Sequence, residues 1–138
     1  MNNLKKWLPL IVLGLPLLLL PFDWYNNMRR DADTIIIQNA SGLYAFQQEH
    51  GRIAIIYLLC MIVEVLAYRN KEWAFAIVSK ILLVGVLICY PMLATTVGGF
   101  ASNALYFYGI GFYIAVSLIF IAILLNVYQL IKKTNTKN

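Results

Sequence analysis

Within "MIVEVLAYRNKEWAFAIVSKILLV", residues 61–84, two apolar stretches flank a short polar hinge, and each holds one charge, Glu64 and Lys80. An ionisable group inside an apolar segment marks a proton or ion pathway unless something pairs with it. One chemistry open to Glu64 is therefore the coupling of a proton or cation to transport. The other is structural, a carboxylate on one helix bracing an ammonium on the next. At ~1.5 Å per residue, Glu64 lies ~6 Å and Lys80 ~9 Å from the hinge ends of their helices, so the two sit at similar depth. At that depth the long stem of Lys80 also reaches toward polar surroundings, and the brace is the favoured reading of this intramembrane charge pair.

Other chemistry is thinly represented. Asp31, Asp33, Ser41 and His50 share one polar stretch, which is the composition of a hydrolytic trio. No G-x-S-x-G elbow or comparable frame accompanies them. His50 is the single histidine, which excludes a bis-histidine haem and argues against a metal site, and "DAD" is weak as a metal motif. Cys60 and Cys89 form no C-x-x-C; if Glu64 faces Lys80, Cys89 points away from Cys60, and both read as buried apolar cysteines. The sequence thus predicts no catalytic residue, no metal and no cofactor, and a protein that is not an enzyme.

The elements that position these residues follow from composition. Of 138 residues, 62% are hydrophobic and 12% charged, where a soluble domain carries about 25% charged. About 20 apolar helical residues cross a hydrocarbon core of ~30 Å. Four segments approach that length, at about 4–22, 53–68, 74–97 and 104–131. The expected fold is an all-α membrane protein: a single domain over 1–138, a four-transmembrane-helix up-and-down bundle with a long external loop, 23–51, between helices 1 and 2. The apolar start lacks an A-x-A-like cleavage site and is read as an uncleaved span. Pro9 and Pro16 should bend it, and Pro91 the third span, with the freed carbonyls satisfied by neighbours.

Seven of the Lys and Arg residues (Lys5, Lys6, Arg69, Lys71, Lys132, Lys133, Lys137) fall on one side of that arrangement, against Arg29, Arg30 and Arg52 on the other. The bias predicts both termini in the cytoplasm of a multi-pass protein of the cell membrane. The net charge of +5 is then a topology signal that attracts anionic lipid, not nucleic acid. Trp7 and Trp73 are placed in the inner aromatic belt, and Phe22, Trp24, Tyr25, Phe100, Tyr106 and Tyr108 in the outer one.

In the external loop, "TIIIQ" reads as a short strand and "SGLYAFQQEH" as about two turns of helix capped by Ser41, with Leu43 and Phe46 on one face. Ile36, Leu43, Tyr44 and Phe46 are the candidate binding residues there. On span four, Tyr106, Gly109, Tyr113 and Ser117 recur at helical spacing as a packing face. Compact four-span proteins with both ends inside include the immunity proteins of pore-forming bacteriocins, a parallel of architecture alone. The reading that results is a non-enzymatic protein in the lipid bilayer, an accessory, regulatory or immunity-type subunit. It would bind another membrane or envelope protein or associate with itself. The alternative is a small oligomeric ion- or proton-coupled transporter using Glu64.

Overall fold

The computed structural model describes residues 2–31, 33–47, 51–97 and 105–136; the side chains at 26–32, 34–40, 44–45, 47–50 and 90–107 lie outside that description. The chain is mostly helical and carries a three-stranded sheet. In order the elements are α1 (Asn2–Gly14), a 3-10 turn (Leu15–Leu19), β1 (Asp23–Asp31), β2 (Thr34–Ser41), α2 (Gly42–Gln47), α3 (Arg52–Asn70), α4 (Trp73–Val97), β3 (Leu105–Tyr108) and α5 (Ile110–Asn135). Helices α3 and α5 are long and apolar enough to cross a membrane, and Trp73–Cys89 of α4 is a shorter apolar helix. The helices pack in a closed cycle, α1 on α3, α3 on α4, α4 on α5 and α5 on α1.

The sheet corrects the all-α expectation. Asp23 to Ser41 is an antiparallel hairpin in which Asp31 pairs with Thr34 and Tyr25 with Ala40. On the other side of β1 lies β3, Tyr25 pairing with Tyr108 and Met28 with Leu105. "TIIIQ" announces itself by its β-branched residues, whereas "DWYNNMRRD" has little strand propensity of its own. It also pairs with β3, remote in sequence, which no local pattern reveals. The same strand shortens the fourth span: Tyr106 belongs to β3, and α5 begins only at Ile110. The connection at 98–104 lies outside the described residues.

The register shifts between Asp23 and Tyr25, leaving Trp24 as an extra residue on β1. Consecutive strand residues normally face opposite ways, and a bulge lifts that restriction. Trp24 and Tyr25 are accordingly both buried, 0% and 5% exposed, not in an outer aromatic belt as expected. A Cβ on Gly42 would stand 2.6 Å from the Trp24 ring, and one on Gly109 2.2 Å from the Asp23 carbonyl oxygen. These glycines are where the sheet lies against the helices.

Two tyrosines complete helices at prolines. In α4 the Leu87 carbonyl faces Pro91, which has no N–H to return, and Tyr25 Oη donates to it at 2.8 Å. In the last turn of α1 the Leu13 carbonyl, three residues before Pro16, accepts from Tyr57 Oη. At the hinge, Lys71 takes a left-handed conformation, φ 56°, and caps α3 through its N–H to the Ala67 carbonyl. The next helix starts at Trp73, so α3 and α4 are antiparallel neighbours.

Candidate functional site

Glu64 and Lys80 meet at the α3–α4 interface. The Lys80 ammonium donates to Glu64 Oε2 and, at 3.3 Å, to the Ala76 carbonyl one turn back on its own helix. A third helix contributes a residue that the sequence reading overlooked. Asn126 of α5 donates its Nδ2 to Glu64 Oε1 at 3.1 Å and Oε2 at 3.0 Å. The signal was available: one amide in "IAILLNVYQL", ~9 Å from Lys132 and so at the depth of Glu64 and Lys80. Glu64 is 2% exposed, and Lys80 and Asn126 are fully buried.

Chemically this is a three-helix polar clasp. The carboxylate receives one ammonium and one amide, and the amide orientation is dictated by its partner, because the opposite orientation would set Asn126 Oδ1 against two acceptor oxygens. Among the described residues Oδ1 itself has no partner. Cys60, on the Glu64 face of α3, contacts Ser79 Oγ at 3.5 Å, and Ser79 Oγ donates to the Ala76 carbonyl at 2.9 Å. Cys60 is buried, whereas Cys89 is exposed, and both are free. Cys89 therefore differs from the expected buried cysteine: it lies on an outward face of α4.

At the opposite end of the bundle, β1, β3 and α5 converge on an aromatic cluster. Tyr108 stacks on Phe112 at 4.2 Å between ring centroids, with Tyr25 at 5.6 Å from Phe112. Burial raises the Tyr108 phenol above the ordinary tyrosine range, aided by Cys89 and Tyr113. It thus stays a neutral donor to the Ile88 carbonyl at 2.8 Å. Trp24 gives its Nε1–H to the Leu19 carbonyl at 2.9 Å and meets Phe46 edge-on at 5.5 Å.

Of the anticipated loop residues, Phe46 and Leu43 have described side chains. Phe46 is buried between Trp24 and Tyr57, while Leu43 is 47% exposed, so they share no docking face. The side chains of Ile36, Tyr44 and Tyr106 lie outside the described residues, as does His50. The proposed packing face of the last helix is also corrected. Gly109 precedes the helix, and Tyr113 and Ser117 are exposed. The inward face is Gly111, Ala115, Ile119, Ala122 and Asn126; Ala115 is two positions, or ~200°, from Tyr113. Small residues do form the contact, but alanines rather than hydroxyl-bearing residues form it. Ser117 turns its hydroxyl back to the Tyr113 carbonyl at 2.7 Å. Compared with known proteins, the chain matches no family model, no curated protein and no solved structure.

Proposed function

We propose that the chain is a non-enzymatic, multi-pass protein of the cell membrane that works by binding another membrane or envelope protein, as an accessory, regulatory or immunity-type subunit. On this reading α1 with its 3-10 turn, α3, α4 and α5 cross the bilayer, both termini are cytoplasmic, and the sheet stands on the outer side. Apolar side chains on the outward faces of all four helices support the membrane reading, among them Ile11, Leu59, Leu82, Ile114 and Leu124. A soluble surface rarely carries such a continuous apolar belt.

The observation that carries the binding reading is the strand order β2-β1-β3. It leaves β2 at an edge, with β1 on one side and no strand on the other among the described residues. An edge rich in isoleucine offers a template for an added strand. The enclosure of Glu64 by Lys80 and Asn126 weighs against the transporter alternative, in which the carboxylate needs an opening to a polar path. Site-specific photocrosslinking at Ile36 in intact cells tests the proposal, with the outward-facing Leu124 as control. A discrete adduct with one other membrane or envelope protein at Ile36 and absent from Leu124 is the expected result. Adducts confined to lipid at both positions would defeat it, and an adduct with a second copy would convert it to self-association.

A further inference from the structure

The end of the bundle opposite the sheet contains a concavity of about 800 Å³ that the binding reading does not use. Three separate parts of the chain build its rim: Lys5 and Lys6 from the start of α1, Arg69 and Lys71 from the α3–α4 hinge, and Lys132 and Lys133 from the end of α5. Among the described residues no acidic side chain lines it. Among the described residues none of the six cations is in an ion pair; Lys133 gives its ammonium to the Lys71 carbonyl, which ties two parts of the rim together. Trp73 and Tyr68 form part of the wall, and Trp7 lies tilted against Tyr68 at 4.1 Å between ring centroids.

A topology signal requires only that basic residues lie on the cytoplasmic side; it does not require them to surround one hollow. Cations facing a shared concavity without acids repel one another and raise the local potential, so a bound anion relieves a strain that spread-out charges would not have. Helix C-termini at Asn70 and Asn135 offset part of that potential through their carbonyls, yet among the described residues five of the six ammonium and guanidinium groups have no carbonyl partner of the kind Lys133 has. Amphipathic aromatic walls at this level match the headgroup region.

We propose that this basin binds the phosphate of an anionic lipid headgroup in the leaflet that faces it. The inference rests on the membrane reading above and not on partner binding. The full chain, extracted from carbonate-washed membranes into a zwitterionic detergent, is heated with added phosphatidylglycerol, phosphatidylcholine or inorganic phosphate. Phosphatidylglycerol at about a hundredfold above its Kd should raise Tm by roughly 5–10 °C, and phosphatidylcholine should not. Arg69→Gln with Lys132→Gln should keep the lipid-free Tm, since both residues are exposed, and lose most of the rise. Arg69→Lys with Lys132→Arg should retain it. An equal rise with phosphatidylcholine, or an undiminished rise in the neutralised variant, overturns the site. An equal rise with inorganic phosphate overturns the lipid assignment in favour of a free anion. Failure of the membrane reading shows separately, as release of the protein by the carbonate wash.

Discussion

Glu64 illustrates how a single buried residue changes meaning with its neighbours. A carboxylate open to a polar path can exchange protons, whereas Glu64 is held by an ammonium and an amide from two other helices, which supports the proposed reading of it as a brace. Removing one partner of a buried pair leaves the other charge uncompensated, at a cost of about 3–5 kcal/mol. Glu64→Gln should therefore destabilise the detergent-extracted protein by about that much, since Lys80 has only the Ala76 carbonyl and the new amide to turn to. Glu64→Leu combined with Lys80→Met should cost less than either single change, because no charge is stranded. Chemical denaturation of the four variants in one detergent decides between the roles. A double variant that is additive or worse denies the brace, and a folded Glu64→Gln protein that has lost proton-coupled flux in vesicles restores the transporter.

At the scale of elements, the prolines and the sheet are linked by side-chain hydroxyls. A helix broken by proline exposes a carbonyl, and in an apolar medium that carbonyl must find another donor. Tyr25 on β1 supplies one to Leu87 on α4, so the strand is fastened to the helix at the point where the helix is incomplete. Tyr25→Phe should cost about 1–3 kcal/mol, the penalty for a buried unsatisfied acceptor. Pro91→Ala restores the N–H four residues after Leu87, and in that background the Tyr25→Phe penalty should fall below about 0.5 kcal/mol. Unfolding midpoints of the four-member cycle measure the coupling; a penalty unchanged by Pro91→Ala would show that the Tyr25 hydroxyl does not act by satisfying a carbonyl that the proline leaves free.

On the scale of the whole molecule the basic residues divide between two ends. The basic basin and the polar clasp lie toward one end, and the hairpin, with Arg29 and Arg30 near its turn, lies at the other. The proposed topology predicts that, in a background with Cys60 and Cys89 replaced by serine and alanine, Asn39→Cys is labelled by an impermeant thiol reagent in intact cells and Thr134→Cys only after lysis. Labelling of Thr134→Cys in intact cells would invert the arrangement and move the basin to the outer face.

The apolar character of the helices, the pairing of Glu64 with Lys80 across a short hinge and the β-branched run of β2 follow from residue type and spacing, which are local properties. A helix beginning just after Ser41 was legible for the same reason, and α2 starts at Gly42. Which face of α5 turns inward was not: Tyr113 and Ser117 and the alanine row have the same period, and only the neighbours choose between them. Recruitment of Asn126, the bulge that buries Trp24 beside Tyr25, and the pairing of β1 with β3 join residues distant in the chain. Such contacts are selected by packing and by the need of buried polar groups for partners, so they exist only once the helices and the sheet have been brought together.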